Sequence, residues 1–178
     1  MPRFLYSVLF YCLLPAIVMR LLWRGLKAPS YFQRWAERFG FCQRFESSVP
    51  TIWLHAVSVG ETLAAVPLVS ALQDKYPDHR IFMTCMTPTG SDRVLSIFGD
   101  SVEHSYAPYD LPDAVARFLN RVKPKVLIIM ETELWPNTIA ACKRRGIPVI
   151  VANARLSEKS ARGYQRISPI VAPMLNNL

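Results

Sequence analysis

The sequence lacks most of the short motifs that mark a metal or nucleotide site. Its four cysteines and three histidines form no C-x-x-C or H-x-x-x-H pattern, and there is no D-x-D, P-loop or G-x-G-x-x-G motif. Zinc-finger spacing and RNP-like aromatic motifs are also missing, which argues against binding to nucleic acid. The residues favour group transfer that needs one base, with no metal and no cofactor, over redox or kinase chemistry.

Acidic residues are scarce, at 13 against 21 lysines and arginines, so the net charge is +8. This balance suggests an anionic partner, such as an acidic membrane face or a phosphorylated substrate. The 178 residues, 51% of them hydrophobic, suffice for one domain, or one domain with an appendage. The cysteines are far apart, and Cys85 and Cys142 lie in apolar settings. We therefore expect reduced, buried thiols rather than disulfides.

The first 24 residues are predicted to form a membrane anchor. No charge occurs from Phe4 to Met19, and the apolar run resumes after Arg20, which approaches the ~20 residues that cross a bilayer. A cleaved signal peptide is disfavoured because no small-x-small site follows, and a buried or interfacial helix remains an alternative. The arginines and lysine that follow, from Arg20 to Arg38, predict that the rest of the chain is cytoplasmic.

Residues 25–49 combine cations with aromatic rings. The segment from Tyr31 to Phe41, continued by Arg44, alternates arginines with aromatic side chains. It resembles a basic aromatic helix that lies on anionic lipid. The alternative is an ordinary solvated helix face.

Residues 50–178 alternate between strand and helix patterns. Strands are predicted at 51–58, 80–87, 102–106, 125–131 and 147–153, with helices at 61–75, 89–98, 113–121 and 135–145. Apolar strands separated by helices predict an α/β fold, with a Rossmann-like parallel sheet and helices on both faces. A further element begins at residue 157, and the chain looks as if it has been cut short.

Glu61 is the first candidate for chemistry. It follows the apolar strand that ends in Ser58-Val59-Gly60, where a buried acid is costly and must face a cleft or water. Ligands of open α/β sheets bind beyond the carboxyl ends of strands. The helix dipole should favour the ionised form, so Glu61 could act as a general base. A plain helix N-terminal charge is the alternative.

Other strand ends also carry polar groups. Thr87, Thr89 and Gly90 open a helix that could bind a phosphate, or simply cap it. Glu131 and Glu133 follow the fourth strand, where one would cap the next helix and the other would face the edge of the sheet. Arg155 follows the last strand and suits an anionic group.

One of the histidines lies within a strand. His55 is interpreted as a hydrogen-bonded core residue rather than a ligand.

Four motifs together resemble the 3-deoxy-D-manno-octulosonic acid (Kdo) transferases of lipopolysaccharide synthesis. They are Ile52–Glu61, Pro108–Pro112, Glu131–Asn137 and Ala154–Ser160, and the similarity extends over nearly the whole chain. The resemblance implies the amino-terminal, acceptor-binding half of a GT-B glycosyltransferase. The absent half would bind the donor, CMP-Kdo, so the isolated chain should not turn over.

The same resemblance implies roles for individual residues. Glu61 corresponds to the catalytic base, and Glu131 to the acid that steadies the transition state. Candidate substrate-binding residues are Ser58, Gly60, Thr87, Thr89, Gly90 and Arg155. The expected partners are a lipid A precursor, CMP-Kdo and anionic lipids of the cell inner membrane. Alternatives are a non-catalytic membrane-surface module and another GT-B sugar-nucleotide transferase.

Overall fold

The computed structural model of the protein describes residues 2–45 and 48–154. Its helices are α1 (Pro2–Lys27), α2 (Trp35–Arg38), α3 (Val59–Lys75), α4 (Pro88–Phe98), α5 (Pro112–Val122) and α6 (Pro136–Arg144). Its strands are β1 (Thr51–His55), β2 (Arg80–Cys85), β3 (Glu103–Tyr106), β4 (Pro124–Met130) and β5 (Val149–Ala152). Short 3-10 helices cover Pro29–Phe32 and Gly99–Ser101. The predicted final element from residue 157 lies outside the described residues.

The strands form one parallel sheet in the order β3-β2-β1-β4-β5. In the central strand, Leu54 pairs with Met83 of β2 and Ile128 of β4. The α/β prediction is confirmed. The first strand ends at His55 instead of continuing to residue 58, because Ser58 is recruited as the N-cap of α3.

Helices cover both faces of the sheet, because alternate strand residues point to opposite sides. One core joins β1, β2 and β4 to α5 and α6 through Trp53, Phe82, Leu127, Phe118 and Ile139. The other core joins the same strands to α3 and α4 through Leu54, Met83, Ile128, Val69 and Val94. The thiols of Cys42, Cys85 and Cys142 are free and buried, whereas Cys12 is exposed on α1.

The amino-terminal helix is long and apolar enough to cross a membrane, judged by length and composition. It does not stand apart from the sheet domain, however. The Ser7 hydroxyl donates to Asn137 Oδ1 at 3.1 Å, and the Tyr11 hydroxyl donates to Asp113 Oδ1 at 2.6 Å. Much of the rest of the α1 surface is exposed and apolar, and its most exposed large side chains are Phe4, Leu5, Leu9, Met19, Trp23 and Leu26.

The segment that follows α1 differs from the expected basic aromatic helix. Arg34 has a left-handed backbone (φ 57°) and separates a 3-10 turn from α2. Its side chain bonds to Glu37 and Ser91 rather than extending into solvent. Arg38 is 2% exposed. Of the three arginines expected at a lipid surface in this segment, two are therefore engaged within the fold.

Gly40 allows this segment to pass directly against α5. Its φ is +82°, and a Cβ atom there would collide with the backbone carbonyl of Ala114. A side chain at position 40 would combine backbone strain with that collision. The close approach helps to hold Arg38 beside the carboxyl edge of the sheet, where its carbonyl accepts the Tyr109 N–H at 2.8 Å.

Candidate functional site

The candidate site lies where the strand order of the sheet reverses. Chain connections run outward from β1 to β2 and β3, and then return to β4 on the other side of β1. Glu61 follows β1 and Glu131 follows β4, so the two acids belong to neighbouring strands at the same carboxyl edge. Such a switch point is where open α/β sheets bind their ligands.

Glu61 is held by a reciprocal set of hydrogen bonds at the start of α3. The Ser58 Oγ accepts the Glu61 N–H at 3.2 Å, and the Ser58 hydroxyl donates to Glu61 Oε1 at 2.7 Å. The Val57 N–H donates to Glu61 Oε2 at 2.8 Å. This variant of the capping box makes Ser58 both a cap and an orienting group for the carboxylate.

Glu61 is almost fully buried where it follows β1. It is 4% exposed, and its hydrogen bonds compensate for this burial, so its predicted position facing a cleft stays a prediction. Burial raises the pKa of the carboxyl group, bonds from Ser58 and Val57 oppose the rise, and the charges of Glu133 and Glu131 add to it. Desolvation therefore outweighs the hydrogen bonds from Ser58 and Val57, and Glu61 becomes a stronger proton acceptor when ionised.

Glu131 sits in a strained backbone position immediately after β4. Its φ is 59°, in the left-handed region that side chains other than glycine rarely adopt. Its N–H donates to the Ala152 carbonyl of β5 at 2.9 Å, which extends the pairing of the two strands. Strain of this kind often occurs at functional sites. The carboxylate is half-buried at the sheet edge.

Glu133 and Trp135 were not singled out as a pair by the sequence, although both lie in the Glu131–Asn137 motif. The Trp135 indole N–H donates to Glu133 Oε2 at 3.1 Å. The indole ring also meets His55 edge to face, with ring centroids 4.6 Å apart. The loop after β4 therefore rests on β1 through an aromatic contact.

His55 is a core residue, as predicted. It is 2% exposed, and its Nδ1 lies 2.8 Å from the Thr84 hydroxyl, which also accepts the Trp53 indole N–H at 2.9 Å. Burial lowers the pKa of His55 to about 3, so the imidazole is neutral at pH 7. A neutral, enclosed ring supports Trp135 and is unsuited to act as a general acid.

The prediction that Glu131 or Glu133 caps the next helix is wrong. Asp110, after β3, accepts the backbone N–H groups of Asn137 at 2.9 Å and Thr138 at 2.7 Å. It also accepts the Thr138 hydroxyl at 2.7 Å. Because Asp110 already caps α6, neither glutamate is needed there, and Glu133 instead accepts the Trp135 indole N–H.

The other candidate residues have mixed positions. Ser58 and Gly60 are exposed beside Glu61, and a Cβ at Gly60 would have room, since its nearest neighbour is 3.8 Å away. Thr87 caps α4 by accepting the Gly90 N–H at 3.1 Å, and Thr89 is exposed on the first turn. This confirms the capping interpretation for Thr87. Arg155 lies outside the described residues.

Within residues 2–45 and 48–154, no group of three or more histidine, cysteine, aspartate or glutamate side chains could hold a metal ion. What this part of the chain does place at the sheet edge is a set of carboxylates, among which burial raises the pKa of Glu61.

Comparison with known proteins gives a consistent result. A family model described as 3-deoxy-D-manno-octulosonic-acid transferase (kdotransferase) matches residues 33–178. A 3-deoxy-D-manno-octulosonic acid transferase of Haemophilus influenzae is 47% identical over 179 residues, covering 100% of this chain and 42% of the relative.

Two further relatives agree. A probable mitochondrial 3-deoxy-D-manno-octulosonic acid transferase of Arabidopsis thaliana is 38% identical over 98% of this chain and 38% of its own length. A 3-deoxy-D-manno-octulosonic acid transferase of Bordetella pertussis is 35% identical over 91% of this chain and 39% of its own length. The chain thus spans about two fifths of the length of these curated relatives.

Proposed function

The chain belongs to the 3-deoxy-D-manno-octulosonic acid transferase family, and we propose that it is the acceptor-binding part of a glycosyltransferase. The enzyme would transfer Kdo from CMP-Kdo to a lipid A precursor. Because this chain corresponds to about two fifths of its relatives, we assign the donor pocket to the remainder of such an enzyme. The chain alone is then expected to bind acceptor without turnover.

The observation that carries this proposal is the placement of Glu61 and Glu131 on either side of the switch point. Two acids in that position, one covered and one half-exposed, suit different tasks. The covered one has a raised pKa and accepts a proton well. The half-exposed one supplies negative charge to the reacting centre.

In the proposed reaction, Glu61 removes the proton from a hydroxyl group of the acceptor sugar. The hydroxyl oxygen attacks the anomeric carbon of Kdo, and the bond from that carbon to the phosphate oxygen of CMP breaks. CMP leaves with the bonding electrons. Glu131 faces the positive charge that builds on the donor ring. Ser58, Gly60, Thr87, Thr89, Gly90 and Arg155 remain proposed substrate contacts.

The geometry of α1 supports a membrane location with the helix lying along the surface. Ser7 and Tyr11 bond to the sheet domain, whereas much of the remaining surface of α1 exposes large apolar side chains, with Arg20 exposed among them. A helix of this kind rests in the membrane interface with its apolar face in lipid. We place the domain on the cytoplasmic side of the inner membrane, because the anionic lipids of that leaflet would attract a chain of net charge +8.

A chimera tests the catalytic assignment. In the Haemophilus influenzae relative, the matched amino-terminal part is replaced by residues 1–178 of this chain, and transfer from CMP-Kdo to a lipid A precursor is measured. The chimera should be active, and Glu61→Gln should reduce kcat roughly 10²–10⁴-fold, the usual contribution of a general base.

The matched control is Asp74→Asn, which removes an exposed acid near the other end of the same helix. It should retain the activity of the parent chimera. Equal transfer rates for Glu61→Gln and the parent, with both proteins folded, would refute the assignment of Glu61 as base.

A further inference from the structure

A small pocket lies where α1 meets the carboxyl edge of β2. Its volume is about 210 Å³, enough for a phosphate group with its ester linkage, since a water molecule occupies about 30 Å³. The polar side chains that line it are Arg20, Arg24, Tyr31, Arg38, Thr87 and Tyr109. Its lining contains three arginines and no acidic residue.

Arg38 is the unusual member of this pocket. The residue is 2% exposed, its Nη1 donates to the Met86 carbonyl at 3.0 Å, and its guanidinium lies 4.1 Å from the centre of the Tyr106 ring. Among the residues that the structure describes, its Nε and Nη2 have no hydrogen-bond partner. A buried cation with unused donors is costly unless an anion joins it.

The neighbouring acid does not neutralise Arg38. Glu37 Oε1 accepts from Arg34 Nε at 2.8 Å, and Glu37 Oε2 accepts the Tyr106 N–H at 2.8 Å. Both oxygens are therefore engaged outside the pocket. Tyr109 lines the same pocket as Arg38 and adds a hydroxyl group to it.

The helix α4 begins beside the same pocket. Thr87 is the N-cap of the 11-residue helix α4 and lines the cavity. The positive end of a helix dipole favours a phosphate, and a planar guanidinium matches phosphate oxygens in pairs. Because the Thr87 side chain already caps α4 by accepting the Gly90 N–H, the buried Arg38 with its unpaired donors is the observation that points to an anion.

The position of the pocket identifies the source of the phosphate. Arg20 and Arg24 lie on α1, beside the exposed apolar residues Met19, Leu22 and Trp23. We propose that the pocket binds the terminal phosphomonoester of a membrane lipid, which phosphatidic acid has and the phosphodiester phosphatidylglycerol lacks, with Arg38 as its buried anchor and Arg20 and Arg24 at its mouth. The proposal goes beyond the transfer reaction, since it concerns lipid binding in the absence of any sugar nucleotide.

The test uses the full chain and phosphatidylcholine vesicles that contain either phosphatidic acid or phosphatidylglycerol at equal surface charge. The parent should bind the phosphatidic acid vesicles more tightly. Arg38→Met should weaken that binding at least tenfold and leave the binding to phosphatidylglycerol vesicles, through α1, nearly unchanged. An undiminished preference for phosphatidic acid in Arg38→Met would overturn the proposal.

Two further variants separate pocket effects from misfolding. Arg34→Met removes a second arginine that lies over the same Tyr106 ring, 4.8 Å from its centre, but does not line the pocket. It should keep the preference for phosphatidic acid. The double variant Arg20→Met with Arg24→Met changes the mouth of the pocket and leaves the buried Arg38 in place. Its preference for phosphatidic acid over phosphatidylglycerol should be at least fivefold weaker than that of the parent. If the double variant is folded and keeps the full preference for phosphatidic acid, the proposal is also overturned.

A thermal-shift series distinguishes a lipid phosphate from a free one. Short-chain phosphatidic acid below its micelle concentration should raise the melting temperature of the parent chain and not that of Arg38→Met. If inorganic phosphate at the same concentration stabilises the parent equally, the lipid assignment is refuted. If neither compound stabilises it, the phosphate site itself is refuted.

Discussion

Arg38 and Glu61 are joined by a continuous run of three hydrogen bonds. Arg38 Nη1 donates to the Met86 carbonyl at 3.0 Å, the Met86 N–H donates to the Val57 carbonyl at 3.3 Å, and the Val57 N–H donates to Glu61 Oε2 at 2.8 Å. The proposed phosphate pocket and the proposed base are therefore positioned by the same two backbone segments. A substitution that shifts either segment is expected to affect both.

Ser58→Ala should shift the pH dependence of transfer in the chimera. The Ser58 hydroxyl bond lowers the pKa of Glu61 against the effect of burial, so its loss raises that pKa further. Since the base must be ionised, the acid limb of kcat/KM should move to higher pH. Loss of the cap should also cost about 1 kcal/mol in the free energy of unfolding. Ser58→Thr keeps a hydroxyl group and should return the acid limb of the pH profile to its parent position. An acid limb that does not move in Ser58→Ala would contradict the proposed role of Ser58.

Glu131→Asn should separate stability from activity. Asparagine tolerates the left-handed backbone better than glutamate, so the free energy of unfolding should stay level or rise by up to about 1 kcal/mol. Transfer by the chimera should fall roughly 10²-fold if the carboxylate stabilises the transition state. Lys123→Asn is the matched control, because Lys123 also has a positive φ of 49° at the end of α5. It should leave transfer unchanged, and parent-like transfer in Glu131→Asn would exclude the role.

Asp110→Asn should destabilise the chain strongly. The carboxylate accepts three bonds from Asn137 and Thr138 while 3% exposed, and an amide group would oppose N–H donors with its own. The expected loss is about 2–4 kcal/mol of unfolding free energy, as for bonds to a buried charge. Asp113→Asn, an exposed acid three residues later, should cost under about 1 kcal/mol. Denaturant titration of both variants measures the difference, and equal losses would contradict the capping role.

Acid should destabilise the protein through His55. The folded pKa is about 3, whereas the unfolded value is 6.5, so the unfolded state binds more protons between these limits. The free energy of unfolding should then fall as the pH drops below about 6.5, by up to about 1.4 kcal/mol per pH unit from this residue. Ring-nitrogen chemical shifts would measure the pKa directly. Protonation of His55 near pH 6.5 in the folded protein would contradict the prediction.

The sheet could be predicted from the sequence because its signals are local. Each strand is an apolar run of about the right length, and Ser58 and Thr87 start their helices with side-chain caps visible in the sequence. The order of the strands in the sheet could be seen only in the structure. The same holds for the resulting position of Glu61 beside the end of β4. The chemical roles of Glu61 and Glu131 came from the family resemblance and stay proposals.

The features that the sequence did not predict depend on distant partners. Asp110 caps a helix that begins 26 positions later, and no local pattern links it to Asn137. Arg38 looks like a surface cation within an arginine-rich stretch, but Tyr106 and Met86 enclose it. The raised pKa of Glu61 likewise depends on burial by elements that a single motif does not contain.

The bonds from Ser7 to Asn137 and from Tyr11 to Asp113 have a consequence for how this molecule would meet its reactants. A domain joined to its membrane anchor by a flexible linker takes many orientations relative to the membrane. Here α1 cannot rotate relative to the sheet domain without losing both hydrogen bonds. A membrane that binds the apolar surface of α1 would therefore also fix the orientation of the sheet relative to the membrane. Lipids that diffuse within the membrane would then reach the same carboxyl edge of the sheet in the same orientation. Their search for the site would be two-dimensional rather than three-dimensional.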